Sequence, residues 1–291
     1  MSRFDYKMFV LVAIAVIGGA LLLETTGFIT KSSSASFDSK QLANLYSDTF
    51  PEEGFKTKIV FGDVIPKLVE SGAIDLEAFK EIYGNRLTEE QLKLLTETSS
   101  DELTITPENA HFLLNVLWAL GIANKNPVLD EVGKYEGVGN LASTGGWTLA
   151  KGDAMNYFNK LELIKLTPEQ QKILERVADN AYRPCCNNPT TFPDCNHGAA
   201  LLALLEIGAS QGMSENELYT LALQANTLWF QQQYLSTAVL FKSQGKDYWS
   251  DAKEIMGYKY SSGSGWLNNV YKPLEEQNML PQADSGGSCG V

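Results

Sequence analysis

The chain reads as an all-α protein, a multi-helix globular domain behind a single N-terminal transmembrane helix. Three observations carry that reading. Helix-start signals recur along the chain, apolar residues fall at helical rather than strand spacing, and residues 8–23 form an uninterrupted apolar run.

The apolar run, MFVLVAIAVIGGALLL, follows Arg3 and Lys7 and ends at Glu24. Basic residues before it and an acid after it predict the N-terminus inside and the remainder translocated. A spanning helix needs about 20 apolar residues, which TTGFI after Glu24 can complete. The rival reading is a cleaved signal peptide with its small-residue site near Ser34, Ala35 and Ser36. No cysteine sits at that site, so lipoprotein processing is excluded. Both readings place the domain outside the cytoplasm, periplasmic or extracellular, where cysteines can pair. The expected organisation is an anchor or signal peptide at 1–30, a Ser-rich linker at 31–39, a helical extracytoplasmic domain at 40–278 and a disordered tail at 279–291. If the domain has two lobes, the Gly-rich residues 136–152 are the boundary.

The helices are justified by their caps. Residues 63–70 and 75–83 each open on an aspartate. Thr88 and Gln91 form a capping box, in which the hydroxyl accepts the Gln91 amide and the Gln91 side chain reaches back. Thr106-Pro107-Glu108 opens a helix that continues as NAHFLLNVLWAL. A shorter helix is expected at 153–163. Thr167-Pro168-Glu169-Gln170 repeats the box and adds Pro at the first helical position, where its missing N–H costs nothing. Ser214 and Glu217 open a helix expected to run to Ser243, about 45 Å. Further helices are expected at 247–256 and 266–277, with a flexible joint at 260–266. Strand-like alternation is nearly absent; KTKIVF, residues 56–61, is the best candidate. The similar helix starts share capping chemistry and no fixed period, so they do not define a repeat.

Composition excludes some functions. Of the 291 residues 44% are hydrophobic, enough for a core without disulfide staples, and the formal net charge is −12. Nucleic acids and anionic membrane surfaces require basic patches, so neither is an expected partner. The Gly-rich stretch lacks a P-loop lysine, and HExxH, GxSxG and EF-hand patterns are absent.

The chemistry concentrates in PCCNNPTTFPDCNHG, residues 184–198. This stretch holds Cys185, Cys186 and Cys195, three of four cysteines, and His197, one of two histidines. The helix before it ends at Pro184. Asp194 reads as the N-cap of the next, apolar helix, which places Cys195 and His197 in its first turn. Three chemistries fit. Cys185, Cys186, Cys195 and His197 form a Cys3His ligand set for a soft transition metal, zinc or copper. The spacing is not a common zinc pattern, and adjacent cysteines reach one metal only through a contorted backbone; with one of them unbound, His111 can complete the set. The second is a disulfide-locked loop in a helical interaction scaffold, with Cys289 in the tail as a further partner. The third is thiol-redox catalysis by Cys195 activated at a helix N-terminus. With no CxxC or CxxCH, thioredoxin-like chemistry and covalent c-type haem are not supported. The metal reading is preferred, with a metal ion as ligand, the membrane as anchor partner and no protein partner specified.

Overall fold

The apolar helices that dominate the sequence pack against each other and leave a small sheet at one side. A computed structural model describes residues 37–281. In chain order these are α1 (Ser39–Thr49), β1 (Phe55–Gly62), α2 (Val64–Ser71), α3 (Leu76–Tyr83), α4 (Glu89–Thr96), β2 (Ser99–Ile105), α5 (Ala110–Ala123) and α6 (Pro127–Val132). There follow α7 (Pro168–Asn180), α8 (Asn196–Ser210), α9 (Glu215–Trp229), α10 (Gln231–Ser243), α11 (Ala252–Met256) and α12 (Tyr258–Ser261). A last helical stretch comprises α13 (Gly263–Trp266), a π-helical turn (Leu267–Tyr271) and α14 (Lys272–Glu276).

The all-α expectation is corrected. The described residues are about 58% helical and carry a two-stranded sheet. β1 and β2 pair antiparallel, with Phe55 opposite Ile105 and Gly62 opposite Ser99. β1 buries Phe55, Thr57, Ile59 and Phe61 on alternate positions, as a half-buried strand does. β2, SSDELTI, buries only Ile105, so its sequence shows no apolar alternation. Its pairing to β1 makes it a strand.

The transmembrane and extracytoplasmic expectations are also corrected. Among the described residues no helix is long and apolar enough to cross a membrane. The most apolar helices, α5 and α8, have 14 and 15 residues, short of a span, and bury themselves in the protein core. The apolar run at 8–23 and Cys289 lie outside the described residues. Of the linker at 31–39, the described part belongs to a helix start: Asp38 caps α1 through a capping box with Gln41.

Capping boxes form at Thr88, Thr167 and Ser214. The helix expected from 214 to 243 breaks at Phe230 (φ −132°, ψ 54°), giving α9 and α10. The expected helix at 153–163 is reduced to one 3-10 turn, Ala154–Asn156, and the joint at 260–266 is mostly helical. The Gly-rich stretch is packed, not loose. Trp147 is buried and donates its indole N–H to Ala73 O, while Trp118 donates to Ser143 O.

The core centres on the crossing of α5 and α8. Their backbones meet at Gly121, where an added Cβ would lie 1.9 Å from Ala199 O. Every residue of α8 from His197 to Ala209 is buried, including Glu206. Glu206 Oε2 accepts from Asn124 Nδ2 at 3.0 Å, and its Oε1 has no hydrogen-bond partner. Burial pushes the Glu206 carboxyl up to about 8, against the weaker pull of Asn124 and Asn126.

This carboxyl makes stability depend on pH with a defined sign. The folded-state pKa is raised, so the contribution is fully present below the unfolded value, about 4.5, and is lost as pH rises through about 8. In that window the unfolding free energy should fall with a slope of up to about 1.4 kcal/mol per pH unit. Glu206→Gln should flatten the slope and be more stable than wild type at pH 8. Urea unfolding of both proteins across this range checks it; parallel curves would show that Glu206 is ionised in the fold.

Candidate metal centre

The site is built where α7 ends and α8 begins. After α7 the chain turns through residues 181–195 and is tied back to its own start: the Thr190 amide and hydroxyl both donate to Ala181 O, at 2.9 and 2.7 Å. A turn closed by Cys186 N donating to Arg183 O (3.3 Å) carries the adjacent cysteines. The start of α13 braces that turn from outside. Gly263 N donates to Cys186 O at 2.7 Å, and Ser264 donates its amide and hydroxyl to Asn187 Oδ1, each at 2.8 Å.

These ties bring the Sγ atoms of Cys185, Cys186 and Cys195 within 4.8 Å of one another. The contortion that adjacent cysteines need to face one centre is therefore built into the loop. Cys185 is exposed; Cys186 and Cys195 are half-buried. All three are free thiols. The expected disulfide is corrected: Cys185 and Cys195 Sγ are 3.5 Å apart, far beyond the about 2.05 Å of an S–S bond. Their contact is a hydrogen bond, and the loop is closed by Arg183 instead.

Arg183 is fully buried, and its guanidinium is spent on this loop. Nε donates to Cys195 Sγ at 3.3 Å, Nη1 to Asn188 O at 2.9 Å, and Nη2 to Phe192 O at 3.2 Å and Asp194 Oδ1 at 2.5 Å. Asp194 Oδ2 accepts from Asn188 Nδ2 at 2.8 Å. Burial opposes the guanidinium's charge, but the cysteine sulfurs, Cys195 foremost, outweigh it and raise its pKa. Room for the guanidinium comes from Gly198, where a Cβ would lie 2.5 Å from Arg183 Nη2.

The N-cap of α8 is Cys195, one residue later than expected. Its Sγ accepts from Gly198 N at 3.4 Å, at the positive end of the helix. Asp194 is freed to pair with Arg183. The thiol pKa values are driven apart. Hydrogen bonds from the Cys185 and Cys186 thiols, then from His197, and the charge of Arg183 hold Cys195 far below the ordinary thiol value. Interaction with the Cys186 and Cys195 sulfurs, together with burial, pushes Cys185 up. Cys186 is drawn down by Cys185 but pushed up more strongly by Cys195 and by burial, reaching about 11. The surroundings thus favour negative charge on Cys195 over Cys185 and Cys186.

His197 is buried beside Cys195, its ring 4.4 Å from Phe230 and 6.0 Å from Trp229 between centroids. The break at Phe230 is what puts that aromatic ring on the imidazole. The three-sulfur group does not include His197. His111 is exposed at the start of α5, near Tyr83, and is likewise outside the group. Sequence reasoning missed Arg183 and Gly198. The available signals were an arginine wedged between a helix end and Pro184, and a glycine in the first turn of an apolar helix.

No protein-family model, curated protein or solved structure matches the chain. The geometry therefore defines a class by itself: a helical protein whose three cysteines form a group that could hold a metal ion.

Removing the guanidinium should damage fold and thiolate together. Arg183→Met leaves Asp194 without its buried partner, which should cost about 3–5 kcal/mol. The ultraviolet thiolate absorbance at neutral pH should fall in Arg183→Met and vanish in Cys195→Ser. It should survive in Cys185→Ser, whose hydroxyl still donates. Unchanged absorbance in Cys195→Ser would place the thiolate elsewhere.

Proposed function

We propose that this protein binds one soft transition metal ion through the sulfurs of Cys185, Cys186 and Cys195. The observation that carries the reading is the convergence of three sulfurs, two of them adjacent in sequence, within 4.8 Å. Metal–sulfur bonds of about 2.3 Å at tetrahedral or trigonal angles need ligand sulfurs about 3.7–4.0 Å apart. The cluster reaches that spacing with small side-chain adjustments. Cys195 is the anchoring ligand, since the helix start and Arg183 favour the thiolate that a metal requires. Cys185 and Cys186 release their protons on binding.

His197 acts through Cys195 in this reading and is not the fourth ligand. Its ring packs against Phe230 and Trp229, and its position beside Cys195 helps to hold that thiol's pKa down. Partners behind a ligand orient it and tune its basicity. The exposed side of Cys185 leaves the ion open to exchange, as suits a protein that carries or senses metal. A second reading, thiol chemistry at Cys195, is favoured by the same low-pKa sulfur next to an accessible thiol.

Metal titration of fully reduced protein tests both. One ion should bind per chain, with binding lost in Cys195→Ser. His197→Ala should lower affinity by about 10- to 100-fold while the metal keeps its sulfur ligands, read by X-ray absorption. Loss of a nitrogen ligand in His197→Ala would make the imidazole a first ligand. No binding to wild type, with a single fast-reacting thiol at Cys195, would favour thiol chemistry.

A further inference from the structure

We infer that the ion this site takes is thiophilic copper(I), held by sulfur alone. The inference rests on the metal reading above and names its ion class. One feature of the loop carries it, and a second shows how such an ion would enter.

The first is the donor inventory. The oxygens nearest the sulfurs are already committed. Asp194 Oδ1 is held by Arg183 Nη2 and Oδ2 by Asn188 Nδ2; the carbonyls of Asn188 and Phe192 are held by Arg183 Nη1 and Nη2. That leaves three sulfurs and no free oxygen among these groups. Zinc takes four ligands, so with three sulfurs its fourth position would fall to water or to a nitrogen. Copper(I), a soft ion without a geometric preference for four ligands, is satisfied by three or even two thiolates.

The second is access. Cys185 is the exposed member of the group, while Cys195 lies at the end of a buried helix. An ion delivered by another thiolate ligand would meet Cys185 first and pass inwards by ligand exchange, one metal–sulfur bond forming as one breaks, with no change in oxidation state. Each protonated thiol that joins the ion releases its proton to solvent.

The test uses the full chain, fully reduced and oxygen-free. Copper(I) is supplied as its complex with a chromophoric chelator, and zinc(II) and cadmium(II) are titrated in parallel. The expected result is one copper(I) per chain, retained against excess zinc(II), with only sulfur neighbours in X-ray absorption. Cys186→Ser should still take copper(I) from the chelator, as a two-sulfur site, and Cys195→Ser should not; circular dichroism shows whether each variant is folded. If zinc(II) or cadmium(II) binds and displaces copper(I), the ion class is wrong and the metal reading stands. If wild type binds none of the three ions, both fall. Nitrogen or oxygen in the copper coordination shell would overturn the sulfur-only site.

Discussion

One guanidinium organises the cysteine cluster. Arg183 reaches from the end of α7 to the start of α8 and satisfies four acceptors on the way: a sulfur, two carbonyls and a carboxylate. A buried charge is costly unless paired and fully hydrogen-bonded, and this one is both. The loop from 181 to 195 folds around it because those carbonyls have no other partner of comparable strength. The spacing of the three sulfurs is a consequence of that wrapping. Gly198 belongs to the same constraint, since any side chain there would occupy the guanidinium's place.

The buried helix α8 supplies the second half of the arrangement. Its N-terminal amides need an acceptor, and the Cys195 sulfur accepts one of them from Gly198. A thiolate fills that role better than a thiol, so the helix start and the guanidinium stabilise the same charged sulfur. The cost is borne by the neighbours: once Cys195 is the acceptor, Cys185 and Cys186 become donors and hold their protons more tightly. The helix can serve as this fixed platform because it is packed on every side, most closely at the Gly121–Ala199 crossing with α5. The same packing explains the perturbed Glu206, a carboxyl carried into the core by a helix that has no solvent face.

Local signals were legible in the sequence, and non-local ones were not. Thr88, Thr167 and Ser214 cap their helices as their spacing implies, because a capping box is closed within four residues. The apolar run after His197 is buried throughout, as its lack of charge implies. The cysteine grouping was legible because the three thiols lie within eleven residues of one another. β2 was not, because its polar sequence becomes a strand only through pairing with a segment some forty residues earlier. Nor was the role of Asp194, which reads as a cap by type and position. The presence of Arg183 across the loop draws it into an ion pair and leaves the cap to Cys195. The apolar run near the N-terminus carried the anchor reading on composition alone, and the described residues contain no membrane-crossing helix.

The adjacent pair, Cys185 and Cys186, shows how the surrounding structure resolves a local difficulty. Two consecutive side chains ordinarily diverge, so turning both towards Cys195 requires a tight turn that would be costly if unsupported. Here the turn is clamped from two directions. Arg183 O accepts the Cys186 amide from within, and the first residues of α13 take up the Cys186 carbonyl and the Asn187 side chain from without. The segment YSSGSGW, by composition a flexible joint, is thus the brace that keeps the cluster closed. Gly263 fits closely there, since a Cβ at that position would lie 3.1 Å from Pro184 O. The brace leaves Cys185 on the surface while Cys195 stays at the helix end, so accessibility is graded across three sulfurs of one group. A site meant only to staple the fold gains nothing from an exposed ligand, whereas a site that exchanges its ion needs one.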